Sequence, residues 1–238
     1  MNRTTYLLKK LTRRRELVQS LIIDGNPLKI VDEKYLFNLF PSMRIMEGLG
    51  GWYSAIYKSK KHVNQPVYPE IQSLIESWNS LHPSSNYLVL GCAGCAIPRF
   101  ISLSYYHSKI IGVEKSSEMI SIAKQYFFDG IEEKDIELVQ ADAFEFVGSH
   151  KLKHDVCMVD LFDSSKMIAK IYRESFIHDL SEITSDTAIV LFNFYGQSKK
   201  QGEALCEIAK KYFTSSHLLS IKDGFLPVFI KGNGNMVF

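Results

Sequence analysis

Two kinds of residue in this chain are spaced as a ligand site would require. One is a run of small residues, Gly91-Cys92-Ala93-Gly94-Cys95-Ala96. The other is a set of carboxylates, each placed just after an apolar run: Glu114, Asp142, and the pair Asp160 and Asp163. Small residues let a backbone approach a ligand closely, and a helix start after them leaves free N–H groups. Glu114 stands about 20 residues beyond the loop, where a carboxylate accepts from both hydroxyls of a ribose. In Gln140-Ala141-Asp142-Ala143, Asp142 is placed to accept from an adenine amino group, with the Ala143 N–H toward a ring nitrogen. For the loop alone the alternative is a tight turn that packs helix on strand. For Asp142 the alternative is a helix cap.

Asp160 and Asp163 leave a strand end within one turn. A carboxylate there takes a proton from an attacking amine, and a second holds a distant cationic group. Loop solvation or helix capping is the alternative for both. Cys92 and Cys95 form C-x-x-C at a helix start, but neither a second such pair nor paired histidines completes a metal site. They read as small loop residues, and no metal is expected. The basic run Lys9, Lys10, Arg13, Arg14, Arg15 reads as a solvated segment, and His154 as a loop residue.

Positioning these groups requires a particular set of elements. Apolar runs at Tyr87–Leu90, Lys109–Val113, Ile136–Val139, Asp155–Val159 and Ala188–Phe194 predict strands. Helical periodicity falls between them, over 97–107, from Ser116 or Ser117 onward, over 168–183 and over 199–213. That alternation predicts a doubly wound, mostly parallel seven-stranded α/β sheet over 86–238, with strands and turns at Leu218–Ile221, Leu226–Ile230, Gly232–Gly234 and Met236–Phe238. Ligands of such sheets bind beyond the C-terminal strand ends. Upstream, Leu17–Ile23 and Leu28–Val31 flank Asp24-Gly25-Asn26-Pro27, a hairpin signal, and 35–43 reads as a short helix stopped by Pro41. Residues 1–43 are thus a small hairpin region. Residues 44–65 hold Gly48, Gly50, Gly51, several aromatics and Lys58–Lys61, and read as a loop-rich connection or lid; Trp52, Tyr53 and Tyr57 either line a substrate there or pack in the ordinary way. Pro69 opens a helix to about Asn79, so 44–85 is a connecting segment.

Composition bounds the rest. The 238 residues are 46% apolar and 23% charged, with a formal charge of +2. This is ordinary for a soluble domain and gives no field suited to nucleic acid. Four cysteines make no disulfide framework, and no apolar run reaches the roughly 20 residues of a membrane helix. A cytoplasmic protein with no membrane or nucleic-acid partner is expected.

The segments Leu88-Val89-Leu90-Gly91-Cys92-Ala93-Gly94-Cys95-Ala96-Ile97-Pro98-Arg99, Gly112-Val113-Glu114, Gln140-Ala141-Asp142-Ala143 and Val159-Asp160-Leu161-Phe162-Asp163 resemble the spermidine synthase family, especially its bacterial spermidine synthase-like members. The resemblance covers 86–195 well and 15–40 loosely. It implies a class I methyltransferase fold behind a small N-terminal β-region, and aminopropyl transfer from decarboxylated S-adenosylmethionine to a polyamine. It implies binding of that donor, or of S-adenosylmethionine, by Gly91, Cys92, Ala93, Gly94, Glu114, Lys115, Asp142, Ala143 and Asp160, with Gln19 matching a glutamine beside the nucleoside. Asp160 takes the acid/base position, and Asp163 helps hold the small-molecule amine. Asp32-Glu33 resembles an acid pair before a substrate tyrosine, from which Tyr35 is one place off. A homodimer is also implied. The typical family loop is richer in glycine and often carries an acid where Gly94 stands. Ser164-Ser165-Lys166-Met167 replaces the usual Pro-x-Gly-Pro gate. The alternatives are a small-molecule methyltransferase, which shares the geometry, and a non-catalytic nucleoside-binding or scaffolding protein of the same fold.

Overall fold

The computed structural model describes residues 3–23, 25–49, 51–58, 62, 69–82, 85–105, 108–131, 135–163, 166–221 and 224–232. A first sheet is antiparallel and four-stranded, in the order β1 (Arg13–Ile23), β2 (Asn26–Tyr35), β3 (Met43–Gly48), β4 (Gly51–Tyr57). Helix α1 (Arg3–Thr12) precedes it and runs straight into β1. The expected hairpin is present, with a bulge at Val18 between the pairs Leu17–Val31 and Gln19–Ile30. The short helix expected over 35–43 reduces to a 3-10 turn at Leu36–Asn38. In the basic run, Lys9 and Lys10 belong to α1 and the exposed Arg13–Arg15 open β1.

The loop expected over 44–57 is corrected by the structure, which forms β3 and β4 there. The glycines that suggested a loop serve close packing and a turn. A Cβ on Gly48 would lie 2.9 Å from the Tyr53 ring, and Gly51 turns the hairpin at φ +117°. The remainder of the expected lid, at 59–61 and 63–65, lies outside the described residues, as do Asp24, the expected gate positions Ser164 and Ser165, and the expected strand Met236–Phe238.

Helix α2 (Pro69–Leu81) buries Ile71, Ile75 and Trp78 at helical spacing against the second sheet. That sheet alternates with helices, as β5 (Asn86–Leu90), α3 (Ala96–Ser104), β6 (Lys109–Glu114), α4 (Ser117–Tyr126), β7 (Glu137–Gln140), α5 (Ala143–Ser149) and β8 (His154–Val159). A two-residue hairpin follows, β9 (Phe162–Asp163) with β10 (Lys166–Met167). Then come α6 (Glu174–Glu182), β11 (Thr184–Phe192), β12 (Phe194–Tyr195), α7 (Lys199–Ala209), β13 (Ser215–Ile221) and β14 (Gly224–Lys231).

The second sheet runs β7-β6-β5-β8-β11-β14-β13, parallel from β7 to β11, with β14 antiparallel to both of its neighbours. Segment β12 continues β11 past Asn193 and pairs with the same strand, so eight segments make the seven expected positions. The chain leaves β5 for β6 on one side and later adds β8 on the other. The crevice at their C-terminal ends is therefore the switch point where ligands bind in open α/β sheets. A third apolar cluster joins Leu28, Ile30, Met46 and Ile56 of the first sheet to Ile122 and Phe127, with Ala93 and Ala96 packed against it. This contact sets the first sheet against the 91–96 loop.

Candidate active site

The geometry of the site starts at Gly91. Its N–H donates to the Val113 carbonyl at 2.9 Å, and its φ is +83°. A Cβ there would lie 2.2 Å from the Asp160 carbonyl oxygen, so no other residue fits between β5 and β8. Ala93 and Cys95 also take positive φ, at 42° and 58°, which folds the loop back before α3. This tight fold turns the N–H groups of Cys92 and Ala93 onto Glu114 Oε2, at 3.2 and 2.9 Å. The Ser116 N–H donates to Oε1 at 3.0 Å. Loop and carboxylate converge, as their spacing requires. A carboxylate offers about four acceptor positions. Three are taken here, by the Cys92, Ala93 and Ser116 N–H groups.

Asp142 caps α5, accepting from the Phe144 N–H at 2.9 Å through Oδ1, while Oδ2 lies 3.7 Å from Lys115 Nζ. The cap is thus present, and one carboxylate oxygen is left over. Lys115 is 80% exposed and its ion pair contributes little. Ala143 is buried at the first position of α5. The Ala141 N–H donates to the Glu114 carbonyl and ties this turn to β6.

Asp160 leaves β8 at the switch point, its N–H on the Leu90 carbonyl at 2.8 Å. Burial pushes its carboxyl up to about 6. A hydrogen bond from Asn193 opposes the rise, and the Glu114 charge adds to it. Asn193 donates through Nδ2 to Asp160 Oδ1 at 2.9 Å and sits in the break between β11 and β12. Sequence reading passed over Asn193. The only signal was a polar residue inside the apolar run Ala188–Phe194.

Asp163 is exposed in β9, where it pairs with Lys166, and it does not line the cleft beside the loop. Gln19 is half-buried in β1 opposite Ile30. Asp32 and Glu33 face opposite ways from β2, both buried. Asp32 accepts two parallel hydrogen bonds from Nε and Nη2 of Arg44, at 2.7 and 2.9 Å, and one from Lys58. Burial pushes its carboxyl up, but those cations outweigh burial and hold it below the usual carboxylate range. Glu33 accepts from the Tyr35 hydroxyl and faces Arg13 and Arg15. The acid pair is therefore engaged in ion pairs within the first sheet.

A small cleft, open to solvent, lies beside the loop. It is walled by Gly91, Cys92, Ile97 and Asp160 on one side and by Tyr53 and Ser54 of β4 on the other. Gly94 sits under Ser54, and a Cβ there would meet Ser54 Cβ at 2.6 Å. Cys92 and Cys95 are buried free thiols. Hydrogen bonding to Cys95 and burial push the Cys92 thiol well up, which suits packing and not nucleophilic use. Among the described residues no group of three or more His, Cys, Asp or Glu is placed to hold a metal ion. None of their helices is long and apolar enough to cross a membrane. His154 is not a loop residue. It is buried in β8 at the opposite sheet edge from Asp160, its ring 2.9 Å from His150 Nε2, and burial lowers it to about 4.

A stretch of 111 residues is 25% identical to the polyamine aminopropyltransferase of Neisseria meningitidis serogroup A / serotype 4A (strain DSM 15465 / Z2491), covering 47% of this chain and 42% of that protein. A spermidine synthase in complex with the transition state analogue AdoDATO superimposes with a TM-score of 0.64 at 16% identity, over 91% of this chain and 73% of that one. The chain is spermidine synthase-like in fold and, over about half its length, in sequence. Human methyltransferase-like protein 13 in complex with SAH superimposes with a TM-score of 0.58 at 18% identity, over 71% of this chain and 85% of that one. The parallel sheet is therefore of the class I methyltransferase type. No protein-family model matches the chain. The sequence match spans less than half the length of that curated relative.

Proposed function

We propose that this protein is a transferase that binds a sulfonium nucleoside, S-adenosylmethionine or its decarboxylated form, and moves a group from it to a small amine. The main reading is aminopropyl transfer to a polyamine. One observation carries it: the Cys92 and Ala93 N–H groups and the Glu114 carboxylate meet within 3.2 Å at the end of β5, beside the half-buried carboxylate of Asp160 at the end of β8. The residues fit such a ligand, because Gly91, Cys92 and Asp160 wall one side of the cleft and Asp142 keeps an oxygen free of its cap.

The donor supplies an electrophilic carbon beside a positive sulfur, a leaving group that needs no acid. The chain's own part is orientation and proton handling. Glu114 and the loop amides hold the ribose, and the Asp142–Ala143 turn reads the base. Asp160, ionised above pH 6, accepts a proton from the attacking amine. Asn193 holds its carboxylate in place. Asp163, exposed in β9 three residues beyond Asp160, attracts the far cationic end of the amine.

Methyl transfer from intact S-adenosylmethionine is a second reading, favoured by Gly94. Ser54 and Met46 leave no room there for a side chain, so the loop has no acid at the place where the family often carries one. The test is incubation with both donors and a panel of polyamines, read by mass. An added aminopropyl group supports the main reading and an added methyl group the second. No product with either donor counts against transferase activity.

A further inference from the structure

Helix α1 is docked by its polar side. Its apolar stripe is Leu7, Leu8 and Leu11, and Thr4 completes the i, i+3, i+4, i+7 spacing of one helical face. On a globular protein such a stripe turns to the core. Here it turns to solvent, with Leu7 47%, Leu8 41% and Leu11 79% exposed. The half-buried residues of the helix are Thr5, Lys9 and Thr12, which share a different, polar face. The Lys9 ammonium lies 5.0 Å from the centre of the Phe40 ring and 5.9 Å from that of Tyr35, so this polar face is the one set against the protein. A ten-residue helix is marginal alone in water, so α1 gains from whatever covers its leucines.

Positive charge flanks that stripe. Residues 1–15 hold Arg3, Lys9, Lys10, Arg13, Arg14 and Arg15, and no Asp or Glu. Arg13 and Arg15 reach Glu33 and Glu47 of the first sheet. Lys10 and Arg14 are exposed and have no acidic partner among the described residues. Exposed apolar residues continue past them at Leu17, Val18 and Ile22 of β1. An apolar stripe flanked by unpaired cations complements a bilayer with anionic headgroups. A nucleic acid would pair the cations and leave the leucines in water. A second copy would cover the leucines but set a like group of cations against these. No described helix is long and apolar enough to cross a membrane, but lying on one requires only a single apolar face.

We infer that α1 and the start of β1 form a docking surface for an anionic phospholipid bilayer. Leu7, Leu8 and Leu11 enter the boundary between headgroups and acyl chains. Lys10 and Arg14 keep their charges at headgroup level, with their stems along the apolar side. The contact is reversible and sensitive to salt, because one short helix and two free cations make a weak anchor. It holds whichever group the candidate active site transfers.

Co-sedimentation with vesicles tests this. The whole chain should pellet with mixed phosphatidylserine and phosphatidylcholine vesicles at about 0.1 M salt. It should be released at about 1 M, where the screening length falls from ~10 to ~3 Å. Pure phosphatidylcholine vesicles should leave it in solution. Lys10→Gln with Arg14→Gln should weaken binding about fivefold for each cation removed. Leu7→Gln with Leu11→Gln should weaken it about tenfold or more, and far-ultraviolet dichroism should show both double variants folded. A dye locates the contact without removing it. Thr4→Cys carrying an environment-sensitive fluorophore should shift its emission to the blue on mixed vesicles, whereas Lys151→Cys, exposed in another part of the chain, should not. The four natural cysteines are buried and stay unlabelled. Failure to pellet with mixed vesicles at the lower salt overturns the proposal, as does equal binding to pure phosphatidylcholine or an unshifted dye at residue 4. A chain that dimerises or binds RNA without pelleting with vesicles also overturns it and assigns the face to that partner.

Discussion

In the proposed transfer Asp160 takes the proton, and its environment makes two separable predictions. Its folded carboxyl titrates near 6 and an unfolded aspartate near 4. Between those values the folded chain holds the extra proton, so stability falls as pH rises from about 4 to about 6, and the cost persists above. Asp160→Asn removes that cost. The variant should melt above the parent at pH 7, by an amount equivalent to roughly 1–3 kcal/mol, with the advantage gone below pH 4. It should still bind the donor nucleoside while turnover falls by about 10²-fold or more, the scale of a lost general base. Unchanged turnover would remove Asp160 from the mechanism. Asn193→Ala deletes the hydrogen bond that lowers the Asp160 carboxyl. The acid limb of the rate–pH profile should then move upward from about 6, whereas a purely structural role for Asn193 would lower the rate at every pH alike.

At the scale of elements, the first sheet is held by ion pairs that do no chemistry. Arg44 spans Asp32 on β2 and the Tyr126 carbonyl at the end of α4, linking the first sheet to the helices of the second. Arg44→Met leaves Asp32 buried with Lys58 alone, a loss of about 2–4 kcal/mol. Urea titration should show a lower midpoint, and a midpoint unchanged within error would mean the network is solvated. Gly94→Asp should be worse tolerated than its loop position suggests, because Ser54 already lies within 2.6 Å of the new Cβ. Adding Ser54→Gly should recover much of the lost melting temperature.

These cases show which parts of the structure were legible in the sequence. The strands β5 to β8 declared themselves because buried parallel strands are continuous apolar runs, and their carboxylates follow at the ends. The break at Asn193 and the strands β3 and β4 did not. Gly48 and Gly51 carry the same letters whether they open a loop or let Tyr53 lie flat on a strand. The engagement of Asp32 was hidden for a similar reason, since Arg44 and Lys58 are 12 and 26 residues away and only the register of three strands brings them together. Asp163 stood out as a carboxylate near Asp160, but its exposure in a two-residue hairpin was not encoded in any local pattern.

For the molecule as a whole, the account rests on one cradle at the switch point between β5 and β8, where a parallel sheet delivers Gly91, Glu114, Asp142 and Asp160 to a common edge. Calorimetric titration with S-adenosylmethionine, decarboxylated S-adenosylmethionine and methylthioadenosine tests that claim most directly, using the parent chain and a Glu114→Gln variant shown to be folded by dichroism. At least one of these nucleosides should bind the parent at micromolar concentration, and the variant should bind it about tenfold or more weaker, consistent with a lost charged hydrogen bond of ~1.5–3 kcal/mol. Binding of none of the three, or equal affinity in the two proteins, would contradict the account.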